Sequence, residues 1–339
     1  MMSHIAIIGA GGWGTALGLV AGRAGHCVRL WSRNARVVEG INARRVNEIY
    51  LPAHELVGDV RATVDLDEVA RDARMLILAA PSHATRGLLE RVASGLRGDV
   101  VVVSATKGIE IETGQRISEV AGETLGRELA ARFVCLSGPS FAVEVAAGQP
   151  TAVVAAGYDA RATLAVQAAL SVENFRVYTN GDLAGTELGG ALKNIIALAA
   201  GMVAGMGLGT NSIAALITRG LAEITRLALA EGGRVETLSG LAGMGDLVLT
   251  CTGALSRNRY VGQELGRGRA LEEILCGMHE VAEGVRTTRA VKLLAASRGI
   301  EMPITEQVHA VLYEGKSARA AAGDLMARPL RGEFAGLGL

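Results

Sequence analysis

Two lysines in apolar settings are the residues of this chain best placed to move a proton. Lys193 lies in Gly189-Gly190-Ala191-Leu192-Lys193-Asn194-Ile195-Ile196 and carries the only formal charge between Leu188 and Thr218. A buried ammonium is strongly disfavoured unless it is paired or its pKa falls, and a lowered pKa is what a lysine acid/base requires. Lys193 is therefore the leading candidate for a general acid/base, the plainer alternative being a lysine that reaches from a helix edge into solvent. Lys107, in Ser104-Ala105-Thr106-Lys107-Gly108, follows a strand-like run. That is the position beyond the carboxyl ends of strands where open α/β sheets bind ligands. The histidines are scattered and no Cys/His set has zinc-ligand spacing, so no metal is expected.

A second constellation binds rather than reacts. The apolar run Ile5–Ile8 leads directly into Gly9-Ala10-Gly11-Gly12-Trp13-Gly14 and then a helical pattern. In that strand–turn–helix context G-x-G-x-x-G is a dinucleotide fingerprint: Gly9 makes the tight turn, Gly11 lets the backbone approach a pyrophosphate, and Gly14 lets helix and strand pack closely. The end of the second strand, Leu30-Trp31-Ser32-Arg33-Asn34-Ala35-Arg36, holds no carboxylate for a ribose 2′-OH. Arg33 and Arg36 can pair a 2′-phosphate, so NADP(H) is the expected preference with NAD(H) possible, unless the arginines merely face solvent.

The elements that must position these groups follow from periodicity. Short apolar runs alternate with amphipathic ones up to about Thr179, the pattern of strands and crossover helices. Strands are expected at Ile5–Ile8, Cys27–Trp31, Met75–Ala79, Val100–Ser104, Phe133–Leu136, Ala152–Ala155 and Phe175–Tyr178. Helices are expected at Gly14–Ala24, Thr85–Ala93, Ile117–Ala131 and Ala160–Leu170. Beyond Asn180-Gly181-Asp182 the strand-like runs stop and helical spacing takes over, broken by Gly-rich turns such as Leu241-Ala242-Gly243-Met244-Gly245. The expected fold class is thus α/β: a Rossmann-type, mostly parallel sheet domain over residues 1–180, then an all-α domain over residues 181–339 that binds substrate and completes the active site.

Composition narrows the function classes. A chain of 339 residues suits two cores. Lys plus Arg balances Asp plus Glu at 34 each, so no net field draws it to nucleic acid or an anionic membrane. The four cysteines, Cys27, Cys135, Cys251 and Cys276, are far apart and suit free thiols in a reducing compartment. The N-terminus lacks an export signal, and a cytoplasmic location is expected. Asn194 to Thr218 is 25 residues without a charge, longer than the roughly 20 a spanning helix needs. Gly201, Gly205, Gly207 and Gly209, followed by the cap-like Thr210-Asn211-Ser212, instead suggest two buried helices joined by a turn, without stable membrane insertion.

Seven motifs in order carry a resemblance: Gly9-Ala10-Gly11-Gly12-Trp13-Gly14-Thr15-Ala16-Leu17, Ser104-Ala105-Thr106-Lys107-Gly108, Leu136-Ser137-Gly138-Pro139-Ser140-Phe141-Ala142, Leu192-Lys193-Asn194, Gly243-Met244-Gly245-Asp246-Leu247, Ser256-Arg257-Asn258 and Val281-Ala282-Glu283-Gly284. From about residue 4 to residue 315 the chain resembles the NAD(P)-dependent glycerol-3-phosphate dehydrogenases of the bacterial biosynthetic type. The resemblance implies interconversion of sn-glycerol 3-phosphate and dihydroxyacetone phosphate, mainly supplying glycerol 3-phosphate for phospholipid synthesis. It makes Lys193 the proton acceptor and puts Lys107 between cofactor and substrate. It aligns Gly138, Ser140, Asp246, Ser256, Arg257 and Asn258 with substrate contacts, and Asn194 and Thr250 with positions near the substrate. Gly12, Trp13, Arg33, Ala142, Arg257, Val281 and Glu283 align with cofactor contacts. A homodimer is also expected.

Taken alone, Ser256-Arg257-Asn258 offers a hydroxyl, a guanidinium fork and an amide for a phosphate dianion, or else a solvated turn. Asp246 can hold a lysine or a substrate hydroxyl, or cap a helix. Many relatives have Ser where Gly12 stands. In Tyr50-Leu51-Pro52-Ala53-His54-Glu55-Leu56 relatives commonly carry Gly-Ile after the Pro, so this loop is expected to say little about function. The rival readings are a related 3-hydroxy-acid or sugar-acid dehydrogenase, which would need a cationic clamp for a carboxylate, and a non-catalytic nicotinamide-sensing module, in which Lys193 and Asn194 would have no reason to be kept.

Overall fold

The computed structural model describes residues 4–278 and 282–333. The chain divides into two compact units: Met1–Thr106 with Ile117–Leu183, and Lys107–Arg116 with Ala184–Leu339. The segment carrying Lys107 thus belongs to the second unit, although it follows a strand of the first.

In the first unit the strands are β1 (His4–Ile8), β2 (Cys27–Trp31), β3 (Val46–Asn47), β4 (Leu51–Glu55), β5 (Asp59–Thr63), β6 (Met75–Leu78), β7 (Val101–Ser104), β8 (Phe133–Ser137), β9 (Thr151–Ala156) and β10 (Phe175–Asn180). Among the described residues, all but β3 and β4 form one eight-stranded sheet in the order β10-β9-β8-β7-β6-β1-β2-β5. From β8 to β5 neighbours run parallel, and β8 meets β9 antiparallel. The mostly parallel sheet expected from the alternating runs is present. Its central strands are apolar because both faces are covered: Ile5 and Ile7 enter one core with Leu17 and Val20, while Ala6 and Ile8 enter the opposite core with Leu66 and Leu89.

The helices of this unit are α1 (Gly12–Arg23), α2 (Ala35–Arg44), α3 (Leu66–Ala70), α4 (Ser82–Ala93), α5 (Ile117–Ala131, broken at Gly126), α6 (Ala142–Ala146) and α7 (Ala160–Leu170). Three strands and three helices, β3, β4, β5, α2, α3 and α6, go beyond the expected set. In β5 the run Asp59-Val60-Arg61-Ala62-Thr63 reads as polar because it is an edge strand paired only with β2, and Pro52 and the exposed residues of β4 hide it likewise.

The second unit is helical: α8 (Leu183–Gly205, its first residue still in the first unit), α9 (Thr210–Ala230), α10 (Val235–Leu238), a π-helical turn (Leu241–Gly245), α11 (Asp246–Thr252), α12 (Arg257–Gly266), α13 (Leu271–Cys276), α14 (Glu283–Ser297), α15 (Pro303–Tyr313) and α16 (Ala318–Met326). Leu192, Ile195, Leu198, Ile224, Leu227, Leu247, Val261 and Val291 share its core. α8 is long and apolar enough to cross a membrane, yet 89% of its most apolar window is buried in the protein, which makes it a core helix.

Two expectations for this region need correction. Gly201 and Gly205 do not break α8. They lie inside it, and a Cβ on either would stand 2.1 Å from the Arg259 or Gln263 carbonyl oxygen of α12. They are the flat strip that lets two helix backbones touch, and the break comes only at Gly207, with φ +74°. Nor is α9 buried throughout: Asn211, Ser212, Ala214, Ala215 and Thr218 are exposed. Its N-cap is Gly209, with no side-chain cap from Thr210-Asn211-Ser212.

Candidate active site

Lys193 sits near the middle of α8, 4% exposed. Its ammonium donates to Asp246 Oδ1, and to Thr250 Oγ1 at 2.9 Å. Lys107 Nζ donates to the other oxygen of the same carboxylate, Oδ2, at 2.8 Å. The π-helical turn at Leu241–Gly245 aims Asp246 inward as the first residue of α11. Asp246 is therefore a buried counter-ion and not the helix cap that its place after Gly243-Met244-Gly245 allowed, since Gly245 occupies the cap position. Thr250, one turn later, donates to the Asp246 carbonyl at 2.6 Å, which leaves its oxygen facing Lys193.

The electrostatics follow from burial. Desolvation pushes the Lys193 ammonium down from 10.5 to about 7; Lys107 adds in the same direction, and Asp246 opposes. For Asp246 burial alone would favour the neutral acid, but Lys107 and Lys193 outweigh it and hold the carboxyl below the ordinary carboxylate range. The arrangement is one carboxylate between two ammonium groups. Lys193 is the more enclosed, with 5% of its side chain exposed against 18% for Lys107.

A second line of contacts fixes Lys107. Asn194 Nδ2 donates to the Lys107 carbonyl at 3.1 Å and reaches Gly190 O at 3.5 Å. Asn258 Nδ2 donates to Asn194 Oδ1 at 2.9 Å, and the Gly284 N–H donates to Asn258 Oδ1 at 2.9 Å. Asn194 thus uses its amide N–H groups within the protein, one of them to hold the main chain at Lys107. Gly284 is a member of this network that residue chemistry did not single out. Only a backbone N–H is used, and a Cβ there would fall 2.6 Å from Asn194 O.

Ser256 caps α12, its Oγ accepting from Arg259 N–H at 3.2 Å. Arg257, exposed, and Asn258, 8% exposed, are the first two residues of that helix. A helix N-terminus bearing a guanidinium and an amide suits a phosphate dianion. Lys107, Lys193, Asn194, Asp246, Thr250 and Asn258 therefore form one connected hydrogen-bonded cluster, with Ser256 and Arg257 adjoining it and Glu283 opening α14 next to Gly284. Val281 lies outside the described residues.

The first unit holds the dinucleotide candidates. Gly9 has φ +113°, and a Cβ on it would stand 2.8 Å from the Ala79 carbonyl oxygen just past β6. On Gly14 a Cβ would lie 1.8 Å from Gly9 O, whereas on Gly11 it would meet nothing within 4 Å. The turn is closed where chain packs on chain and open at Gly11, and no side chain caps α1. An open backbone face at an uncapped helix start fits a pyrophosphate. It lies beside the reversal of strand order between β1 and β6, where such sheets bind nucleotides. Gly12 and Trp13 begin α1; Arg33 and Arg36 are exposed after β2, flanking Asn34, whose side chain caps α2. Gly138 and Ser140 lie in the loop after β8, the Ser140 hydroxyl donating to Gly138 O at 2.9 Å, and Ala142 begins α6. Among the described residues no group of three or more His, Cys, Asp or Glu side chains is placed to hold a metal ion.

Residues 4–163 match the family described as NAD-dependent glycerol-3-phosphate dehydrogenase N-terminus, and residues 182–323 match the corresponding C-terminus. Among curated relatives, a protein of Koribacter versatilis named glycerol-3-phosphate dehydrogenase [NAD(P)+] is 54% identical over 97% of this chain and 98% of its own length. One of the same name from Geobacter sulfurreducens is 51% identical over 98% of this chain and 99% of its own. The crystal structure of glycerol-3-phosphate dehydrogenase from Coxiella burnetii superposes with a TM-score of 0.92 at 40% identity, covering 96% of this chain and 99% of that one. The chain is a member of the NAD-dependent glycerol-3-phosphate dehydrogenase family.

Proposed function

We infer that this protein interconverts sn-glycerol 3-phosphate and dihydroxyacetone phosphate, and that it uses Lys193 as the acid/base, Asp246 to hold it and Lys107 as a second positive charge. The observation that carries the reading is the buried Lys193 ammonium, tuned to about 7 and fixed by Asp246 and Thr250. Bound NAD(P)H supplies the hydride. In the reducing direction Lys193 gives its proton to the substrate's carbonyl oxygen, while Lys107 stabilises the negative charge that develops there. Asp246 keeps Lys193 protonated against the pull of desolvation. Ser256, Arg257 and Asn258 receive the phosphate at the start of α12, and the Asn258–Asn194 amide pair keeps Lys107 in register. The glycine turn after β1 suits the dinucleotide, and Arg33 and Arg36 favour NADP(H) over NAD(H). Supply of glycerol 3-phosphate for phospholipid synthesis is the role this reading implies.

A cytoplasmic homodimer completes the reading. The dimer is supported by the charge-free stretch Thr210–Thr218 at the start of α9, where exposed small residues adjoin the 40% exposed Leu208. Sedimentation equilibrium returning a monomer mass at micromolar concentration would remove the dimer. Function is tested by steady-state kinetics with dihydroxyacetone phosphate and NADH or NADPH in parallel, on the native protein and Lys193→Ala. The substitution is expected to lower turnover at least about a hundredfold. Near-native turnover in a folded variant would take Lys193 out of the mechanism.

A further inference from the structure

Asn47, the last residue of β3, is fully buried and lies in a hairpin that carries no catalytic candidate. Its Oδ1 accepts from the Tyr50 main-chain N–H at 3.2 Å. A backbone N–H can only donate, so this contact settles which end of the amide is oxygen. The Nδ2 then faces the glycine turn, donating to the Ala10 carbonyl at 2.9 Å and to Thr15 Oγ1 at 2.8 Å. Ala10 is the residue between the first two glycines of the fingerprint, and Thr15 lies in the first turn of α1.

The consequence comes from peptide geometry. In a trans peptide the carbonyl of one residue and the N–H of the next point in opposite directions. Holding the Ala10 carbonyl toward Asn47 therefore turns the Gly11 N–H away from it, at a residue where an added Cβ would meet nothing within 4 Å. The bond to Thr15 ties the same turn to the start of α1. Both acceptors would otherwise be buried without a donor, since Thr15 is fully buried and Ala10 is 3% exposed.

We propose that Asn47 is a positioning residue for the dinucleotide pyrophosphate, acting through the Ala10–Gly11 peptide. The proposal rests on the reading of the glycine turn as the dinucleotide site. Asn47 precedes the segment 50–56, and the β3–β4 hairpin delivers the amide that sets the cradle.

The test is an equilibrium titration of NADPH, followed by its fluorescence, into the native protein, Asn47→Ala and Asn47→Asp. Asn47→Ala is expected to bind on the order of tenfold more weakly, the effect of one buried hydrogen bond and the acceptor it strands. Asn47→Asp keeps the shape and the acceptor for Tyr50 but cannot donate while ionised. Its affinity should be reduced at pH 8 and recover as the pH falls and the carboxyl gains a proton to donate. In both variants KM for dihydroxyacetone phosphate at saturating NADPH should stay native, which a general loosening of the fold would not leave untouched. Asn47→Asp binding NADPH at pH 8 as tightly as the native protein overturns the assignment. Failure of the native protein itself to bind either NADPH or NADH would instead bring down the dinucleotide reading, and Asn47 with it.

Discussion

Lys107 and Lys193 donate to opposite oxygens of one buried carboxylate, that of Asp246. The positive charge of Lys107 lowers the proton affinity of Lys193, and Asp246 opposes that pull. The pH behaviour of the enzyme should be read from this triad.

With Lys193 titrating near 7, the two reaction directions should respond oppositely to pH. Reduction of dihydroxyacetone phosphate needs the protonated amine, so its kcat/KM should fall as pH rises through about 7. Oxidation of glycerol 3-phosphate needs the free amine and should rise over the same interval. Parallel slopes in both directions would show that another group titrates.

Asp246→Asn removes the group that raises the Lys193 pKa. The midpoint of both profiles should therefore move to lower pH. The variant also leaves two ammonium groups facing each other without a counter-ion, which should destabilise the fold by about 3 kcal/mol or more, the usual effect of breaking a buried ion pair. A urea titration reads the second effect and the pH profile the first; an unmoved midpoint in a folded protein would contradict the role given to Asp246.

Arg33 and Arg36 flank the cap of α2 without a carboxylate between them. Replacing both by Ala should raise KM for NADPH by about tenfold or more, as expected for lost charge-assisted bonds to a phosphate, and change KM for NADH little. Raising the ionic strength of the assay should shrink the native preference in the same sense, because exposed charges are screened. Equal losses for the two cofactors would place the arginines away from the 2′-phosphate.

Gly262→Ala sets two known effects against each other. Alanine is the better helix former by about 1 kcal/mol. A Cβ at Gly262, however, would stand 1.9 Å from the Leu198 carbonyl oxygen on α8, and forcing such a contact apart costs about 3 kcal/mol. Net destabilisation in a urea titration is expected. Because α8 carries Lys193 and α12 starts with Arg257 and Asn258, KM for dihydroxyacetone phosphate should rise as well. A stabilised Gly262→Ala protein would mean that the helices are not held at this distance.

Much of the site was legible residue by residue. Lys193 stood out because a single charge in an apolar helix must be desolvated, and the structure buries it. The glycine turn was legible because a strand, a tight turn and a helix start are all local features. β5 was not, since an edge strand alternates polar and apolar residues as a surface loop does. Asn194 bonds the Lys107 carbonyl and Asn258 through its amide, a use that no local pattern encodes.

By itself the amino-acid order determined what neighbours along the chain decide: the sheet strands with two apolar faces, the backbone freedom at Gly9, and a lysine with no charge near it. Tertiary structure decided the partners. Asp246 lies 53 residues from Lys193 and 139 from Lys107, and Asn47 lies 37 from the carbonyl it holds. A buried polar group must find a partner, but which one it finds depends on the path of the folded chain, so the shared carboxylate and the braced glycine turn exist only once that path is set.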